Sequence, residues 1–260
     1  MDYGKLLGES YAYAKDGLLG NIVTWIILLV LTILPAIPII LIVFFMILAM
    51  AAAPDIMLLA GAIGIGVIFA VILMSFYMGY QLKIFRGETP LPPVADFGKL
   101  FSDGIRYIVI QFVYMLPALV VFCITVLPSL LLLMKSAIAG EHMVQDNLGI
   151  FMGMMGGILL TVIVGFIIGL FAIVGVVRFA RTGSMGEAFN FNAILATIGK
   201  IGWGTYIIAL IIMGVIVSVI SIVLSLIPII GGIIQFIIGP AISVFSARYI
   251  CVLYDSAGTA

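Results

Sequence analysis

Residues 88–107 read ETPLPPVADFGKLFSDGIRY and form the longest polar stretch of an otherwise strongly apolar sequence. The core of this stretch, DFGKLF at 96–101, is similar to DYGKLL at 2–7 and more loosely to NFNAIL at 190–195. The aromatic second residues of these motifs follow one another at equal intervals of 94 residues: Tyr3, Phe97 and Phe191. The even spacing predicts an internal repeat of three units.

The composition predicts lipid, rather than water, around most of the chain. Of 260 residues, 65% are hydrophobic and 8% are charged, whereas soluble domains carry about 25% charged residues. The formal net charge is zero, which argues against a nucleic-acid partner because phosphate binding needs a basic surplus. Cys123 and Cys251 lie in apolar runs and are too few for a disulfide framework or a metal site. The polar, acid-containing start leads us to expect no cleavable signal peptide.

Charge-free runs count the membrane spans. They cover residues 17–54, 56–82, 107–134, 147–177 and 201–247. About 20 apolar residues cross the hydrocarbon core of a bilayer, so the first four runs hold one span each. The last run, with a turn predicted near Pro228, holds two. Pro35 and Pro38 predict a kink in the first span; two half-spanning segments are the alternative, which unpaired backbone in lipid disfavours.

Lysine and arginine predict the orientation of these six spans. With six crossings, ten of the 11 Lys and Arg residues fall on one side, which we call the Lys/Arg-rich end, and Lys135 alone falls on the other. Cytoplasmic loops accumulate these residues. We therefore expect a multi-pass protein of the cell membrane with both termini in the cytoplasm.

Each copy of the repeated motif predicts a short amphipathic helix directly before a span. Asp2, Asp96 and Asn190 can cap helix starts, and the apolar residues that follow recur at helical spacing. Such helices lie in the head-group plane. The predicted fold is an all-α membrane protein of three parallel-repeat hairpins, each preceded by a short cytoplasmic interfacial helix, which excludes an inverted repeat. The repeat units cover approximately 1–80, 95–178 and 188–254 of a single integral membrane domain, 1–260.

A family resemblance lies around the polar stretch. Its pattern consists of Gly79-Tyr80, Arg86-Gly87-Glu88, Leu91-Pro92, Asp96, Leu100-Phe101, Asp103-Gly104, Tyr114 and Pro117. In this pattern the chain resembles the largely archaeal and bacterial family of multi-pass membrane proteins catalogued as domain of unknown function 4013, although Val94 stands where members often have tryptophan. That family has no assigned activity, so the resemblance implies the topology and leaves the function open.

The charged residues in and beside the polar stretch are candidate site residues. They are Arg86, Glu88, Asp96, Lys99, Asp103 and Arg106. Catalytic acids need burial, and the sequence places none of these in a cleft. We interpret Asp96 as a helix cap and the others as a solvated, mutually compensating surface. In functional terms, this surface would dock a cytoplasmic partner or lipid phosphates.

The segment around the single histidine is a candidate metal site. It combines Glu141, His142 and Asp146 with the methionines Met143, Met152, Met154 and Met155. Imidazole-type sites usually need more than one nitrogen or sulfur ligand, and methionine in an apolar helix usually fills gaps. We therefore predict no metal and no cofactor.

The fourth span carries a small residue at every fourth position. The set is Gly149, Gly153, Gly157, Thr161, Gly165 and Gly169. Small residues at this spacing let two helix backbones approach closely in lipid. We interpret the set as a helix-packing ladder within the bundle; a homo-oligomer seam and a sliding surface in a transporter are the alternatives.

Polar residues at membrane depth are mostly neutral. Intramembrane ionisable residues usually mark transport, proton relay or catalysis, and here only Arg248 comes close, near a span end from which it can reach outward. Gln111 and Gln235 are the candidates for a polar cavity. No Ser-His or carboxylate pair stands at membrane depth, which counts against an enzyme.

These observations favour a non-enzymatic membrane protein that acts as a scaffold, partner-binding or lipid-organising component. Its expected partners are membrane lipid and either a second copy or another protein. The alternative is a small transporter or channel for a neutral or hydrophobic solute. The parallel threefold layout resembles mitochondrial carriers in plan, but residues 93–96 lack the carrier signature. A lipid-modifying enzyme is a weaker alternative, since it should show an acid or histidine facing a lateral opening.

Overall fold

The computed structural model describes residues 1–52, 56–138 and 148–258; these are mostly helical, with no strand in these ranges and with one longer non-helical segment at 86–96. The helices are α1 (Tyr3–Leu19), α2 (Ile22–Ile33), α3 (Ala36–Ala52), α4 (Ile56–Phe85), α5 (Phe97–Thr125), α6 (Leu127–Ile138), α7 (Leu148–Thr182), a short 3₁₀ helix (Met185–Phe189), α8 (Phe191–Ile201), α9 (Trp203–Ser225) and α10 (Ile230–Asp255). The predicted all-α class is confirmed. Glu141, His142, Met143 and Asp146, for which the sequence analysis rejected a metal site, lie outside the described residues.

Six stretches of this helical structure are long and apolar enough to cross a membrane. Within the described residues they are Ile22–Ile47, Leu59–Phe85, Phe97–Ser136, Leu148–Thr182, Trp203–Ser225 and Ile230–Asp255. Many of their large apolar side chains are exposed, as expected of helices that lipid surrounds. The predicted number of spans is confirmed.

The first span is one broken helix rather than two half-spanning segments. α2 ends at Ile33 and α3 begins at Ala36, so Pro35 stands in the break. The Leu34 N–H still donates to the carbonyl of Val30 at 2.9 Å, which keeps the turn closed. Pro38 falls in the first turn of α3, where an N–H has no intrahelical acceptor. Pro128 occupies the same kind of position at the start of α6.

The structure corrects the prediction of a short helix before every hairpin. α1 and α8 are separate helices, and each is capped: Asp2 accepts from the Lys5 N–H at 3.1 Å and Asn190 from the Ala193 N–H at 3.2 Å. α5, in contrast, continues unbroken from Phe97 to Thr125. Asp96 has a positive φ of 59°, and its exposed carboxylate makes no capping hydrogen bond within the described part of the chain. The prediction of a separate second helix with Asp96 as its side-chain cap was wrong.

The described chain divides into two compact units, Met1–Ile108 with Val174–Ala260, and Val109–Ile173. In the first unit α10 is central, since it packs against α1, α2, α4 and α9, and α3 packs against α4. The largest side chains of this unit that are fully buried include Tyr80, Tyr206 and Tyr249. All three stand toward the Lys/Arg-rich ends of their helices, so the best-packed part of this unit lies there.

Two glycines allow α4 and α5 to touch backbone to backbone in the first unit. A Cβ on Gly79 would lie 1.9 Å from the carbonyl oxygen of Leu100, and one on Gly104 would lie 1.7 Å from that of Ser75. Both distances are far below van der Waals contact, so any side chain at either position would force the helices apart. Gly79 and Gly104, two of the three glycines in the pattern around residues 79–117, are therefore explained by this crossing.

The helix-packing ladder makes its close contact at its centre, within the second unit. A Cβ on Gly157 would lie 2.8 Å from Thr125 Oγ1. A Cβ on Gly153 or Gly165 would have its nearest neighbouring atom at 3.9 Å, which is ordinary van der Waals contact. Gly149 and Gly169 have nothing within 4 Å. Thr161 bonds within its own helix, since its Oγ1 donates to the Gly157 carbonyl at 2.8 Å.

Candidate functional site

A cluster of charged side chains joins helix ends at the Lys/Arg-rich end of the first unit. We call it the polar junction and define it by Lys83, Arg86, Asp103, Arg178, Arg181, Glu187, Cys251 and Asp255. These residues come from α4, α5, α7, the 3₁₀ helix and α10, except for Arg86, which directly follows α4. Several of them were not singled out by the sequence, Arg181 and Asp255 above all.

Arg181 is the hub of the polar junction. Its Nη2 donates to both carboxylate oxygens of Asp255, at 2.7 and 2.8 Å, and to Cys251 Sγ at 3.1 Å. Its Nε donates to the carbonyl of Phe85, the last residue of α4, at 3.0 Å. A Cβ on Gly87 would lie 2.7 Å from Arg181 Nη1, so only glycine leaves room for the guanidinium. One side chain thereby ties α4, α7 and α10 together.

A second ion pair joins α4 to α5. Arg86 Nη2 and Asp103 Oδ2 lie 2.5 Å apart, and the Asp103 side chain is only 8% exposed. A carboxylate at this depth needs its cation, because an unpaired buried charge is strongly destabilising. The interpretation of Asp103 as solvated was therefore wrong, whereas the expected compensation of its charge by a basic neighbour is confirmed.

A third ion pair connects α7 to the start of α8. Arg178 pairs with Glu187 on the 3₁₀ helix, and Asn190 Nδ2 donates to the same carboxylate at 3.2 Å. The hydrogen bonds from Arg178 and, to a lesser extent, Asn190 hold the pKa of Glu187 below its usual range. Asn190 therefore has two roles, since its Oδ1 also caps α8.

Side chains of α4 hold the loop of residues 86–96 through hydrogen bonds to its carbonyls. Lys83 is buried, and its Nζ donates to the carbonyls of Ala95 at 3.0 Å and Pro93 at 3.4 Å. The hydroxyl of Tyr80 donates to the carbonyl of Pro92 at 2.9 Å. These bonds satisfy three carbonyls of a loop that also contains a cis Thr89–Pro90 bond.

The same loop is fixed from the side by α1. The Tyr13 hydroxyl donates to the carbonyl of Glu88 at 2.8 Å, and burial raises the pKa of this hydroxyl above its usual range. The guanidinium of Arg248 stacks over the Tyr13 ring at 4.8 Å from its centroid. Arg248, which the sequence places near a span end, therefore packs against α1 while it stays partly exposed.

The predicted docking residues divide into two groups. Arg86 and Asp103 form an ion pair with each other and are not available to a partner. The others are exposed: Glu88, Asp96, Lys99 and Arg106. Among the exposed residues, Lys99 and Arg106 share α5 and stand seven positions apart. Two helical turns separate them, so they lie on one face.

The two predicted cavity glutamines lie in different units of the chain. Gln111, on α5, belongs to the second unit and is exposed. Gln235, on α10, belongs to the first and is also exposed, where it lines a groove of about 470 Å³ together with Thr32 and Ser221.

A known protein family covers most of the helices just described. The family model with the description "Protein of unknown function (DUF4013)" matches residues 62–229. The chain belongs to this family. The DUF4013 match takes in most of α4 and all of α5 to α9, including Arg86, Asp103 and Arg181, and it confirms the resemblance seen around residues 79–117. No curated protein and no solved structure matches the chain.

The polar junction of this DUF4013 protein holds helix ends together through ion pairs. Each of its three carboxylates, on Asp103, Glu187 and Asp255, accepts from an arginine. Each pair joins two different helices. A signal for one pair exists in the sequence: Asp255 is the sole acid after Glu187, so in an apolar chain a basic partner for it is expected.

Proposed function

We propose that this protein is a non-enzymatic scaffold of the cell membrane whose Lys/Arg-rich end faces the cytoplasm and docks a protein partner. The observation that carries this proposal is the polar junction. Its ion pairs fasten the ends of α4, α5, α7, α8 and α10, which makes this end a fixed platform. Because the charges of its three acids are taken up internally, only the outward-facing residues are left for recognition.

The architecture that we propose for this scaffold is three hairpins of like orientation, with both termini in the cytoplasm. α1 and α8 have equivalent caps, on Asp2 and Asn190, which supports a relation between the first and third repeat units. The packing of α3 on α4 and of α9 on α10 supports the pairing of consecutive spans. The second repeat unit differs from the other two because its α5 continues without a break into the membrane-spanning segment.

The docking surface that we propose lies on the first turns of α5. Lys99, Ser102 and Arg106 are exposed there and, at spacings of three and four, share one face of the helix. Neither cation has an ion pair among the described residues. An acidic segment of a cytoplasmic protein is the complementary partner, since exposed cations on a rigid face steer association with opposite charge.

Photo-crosslinking from position 102 in native membranes tests this proposal. We expect a specific protein adduct that disappears in the double variant Lys99→Glu/Arg106→Glu. Lys200→Glu is the matched control, because Lys200 is an exposed cation on α8 and its reversal should leave the adduct unchanged. Adducts to lipid alone, or a protein adduct that survives the double variant, would overturn the docking proposal.

A second candidate function rests on the groove around Gln235. Thr32, Ser221 and Gln235 place three neutral polar side chains in one groove of the membrane-spanning region, which suits passage of a small neutral solute. Glycerol flux into proteoliposomes tests this candidate. If the groove is a pathway, glycerol flux into proteoliposomes should be well above that of protein-free liposomes and should be lost in Gln235→Leu. Equal flux with and without the protein would exclude a glycerol pathway.

A further inference from the structure

A groove of about 410 Å³ lies between α1, the start of α2, α9 and α10. α9 contributes Ile216, Val217 and Ile220 to its wall, and α10 contributes Ile238 and Ile242. These are all branched aliphatic side chains with no hydrogen-bonding group. The groove therefore selects against a polar solute and suits a flexible hydrocarbon chain.

The polar side chains of the groove come from α1 and the start of α2. Tyr11 and Lys15 line it from α1, and Trp25 lines it from α2. The indole N–H of Trp25 already donates to the carbonyl of Ile237 at 3.0 Å, so this ring forms a fixed wall. Lys15 is exposed and has no ion pair among the described residues. It is therefore the free charge at this groove, and the ligand group that complements it is an anion.

A second cation stands near the polar end of the groove. Arg248 lies three residues beyond the groove residue Phe245 on α10 and stacks on Tyr13 of α1. It has no acidic partner in the described part of the chain, and its buried Nε has no hydrogen-bond acceptor there. Lys15 and Arg248 thus mark one end of an otherwise aliphatic groove as positive.

We propose that this groove binds one anionic glycerophospholipid, with an acyl chain along the aliphatic wall of α9 and α10 and the phosphate at Lys15. An amphiphile satisfies both halves of the groove, because hydrocarbon is complementary to the aliphatic wall and phosphate to the ammonium group. Lysine and tryptophan also stand together where proteins meet lipid head groups. The site is separate from the polar junction and from the α5 docking surface.

Native mass spectrometry of the full-length protein in detergent tests the assignment. The probes are a phosphatidylglycerol and a phosphatidylcholine with the same acyl chains, together with inorganic phosphate. We expect one phosphatidylglycerol to be retained in preference to phosphatidylcholine, and no retention of phosphate, because the acyl chain and the charge are both required.

Three variants sharpen this test. Lys15→Ala should weaken phosphatidylglycerol retention about fivefold, and Lys15→Arg should restore it. Ala241→Phe, which fills the groove, should reduce both lipids alike. Lys200→Ala, an exposed cation outside the groove, should change neither. Equal retention of the two lipids with no effect of Lys15→Ala, or retention of phosphate alone, would overturn the proposal.

Discussion

Arg181 and Asp255 lie 74 positions apart in the sequence, and the arginine Nη2 holds both carboxylate oxygens of the aspartate, at 2.7 and 2.8 Å. The same guanidinium reaches the carbonyl of Phe85 at the end of α4. Helices that lipid surrounds gain no hydrophobic free energy from association. Directional bonds at their ends therefore have a large share in fixing which helices are neighbours.

Arg181→Ala should be among the most destabilising single changes at the Lys/Arg-rich end. It leaves the Asp255 carboxylate without its arginine, and it leaves the Phe85 carbonyl with only the Cys251 thiol, whose Sγ lies 3.6 Å away. The side chains of Arg181 and Asp255 are 25% and 29% exposed, so water compensates in part, and we expect the free energy of unfolding to fall by about 2 kcal/mol. Denaturation in detergent measures this.

Two further variants control the Arg181 experiment. Arg181→Lys keeps the charge without the planar, two-pronged geometry, so it should recover only part of the loss. Lys200→Ala removes an exposed cation and should have little effect. If Arg181→Ala were no more destabilising than Lys200→Ala, the role of Arg181 as a hub would be disproved.

Gly79→Ala should disrupt the crossing of α4 and α5. The new Cβ would lie 1.9 Å from a backbone oxygen, which side-chain rotation cannot relieve, so we expect a loss of about 3 kcal/mol. Gly98→Ala is the matched control on α5, because nothing lies within 4 Å of that position. There the stability should stay the same or rise by at most about 1 kcal/mol. Thermal unfolding measures the stability of both variants. Equal losses of stability in Gly79→Ala and Gly98→Ala would contradict the backbone contact between α4 and α5.

Glu187 should make stability depend on pH in the acid range. Its folded pKa is lowered by Arg178 and Asn190, so the stabilisation is fully present above the ordinary glutamate pKa of about 4.3 and is lost as the pH falls through the lower folded value. Glu187→Gln should therefore reduce the melting temperature at neutral pH. The difference from the wild type should narrow as the pH drops below about 4.

Glu88→Gln provides the control for the pH experiment. The Glu88 side chain is exposed and has no ion pair among the described residues. Its replacement should leave melting temperatures nearly unchanged from neutral to acid pH. A constant gap between Glu187→Gln and the wild type across this range would show that the Arg178–Glu187 pair does not supply the predicted pH dependence.

Gly157→Ala should loosen the second unit, whereas Gly156→Ala should not. A Cβ on Gly157 would approach the Thr125 side chain at 2.8–2.9 Å and Val126 Cγ2 at 3.0 Å, while nothing lies within 4 Å of Gly156. Since the clash involves side chains, partial relief is expected and the cost should be about 1–2 kcal/mol. Hydrogen exchange of α7 in detergent compares the two neighbours directly. Equal protection in both variants would contradict the packing contact.

The positions of the spans follow from sequence because each apolar run is bounded by charges that resist burial in lipid. The break at Pro35 also follows, since proline removes an N–H and its ring clashes with the preceding turn. The separate helix expected at 96–101 does not exist, because a helix ends only where the chain provides a reason. Gly20 precedes the α2 cap, and Gly202 adopts a φ of 91° before α9. Between Phe101 and Tyr107 no residue forces an end, and Gly104 is used in the crossing instead.

The polar junction was less predictable, since its pairs depend on which helix ends become neighbours. Arg86 and Asp103 both stood out in the sequence, but nothing in their spacing shows that one turn of α5 faces the end of α4. The Arg181–Asp255 pair required the ends of α7 and α10 to come within side-chain reach, although the two residues are 74 positions apart in sequence. Composition suggests that isolated charges will pair; only the tertiary structure assigns the partners.

Three lysines together test the orientation that we propose. A membrane-impermeant amine reagent should label Lys135 on intact cells and Lys99 only after permeabilisation, because the two should lie on opposite sides. Lys83 should react slowly even then, since it is 8% exposed and its Nζ is held by two carbonyls. Peptide mass spectrometry quantifies all three. Labelling of Lys99 on intact cells would reverse the orientation, whereas rapid labelling of Lys83 after permeabilisation would contradict the buried position of its amine beneath the 86–96 loop.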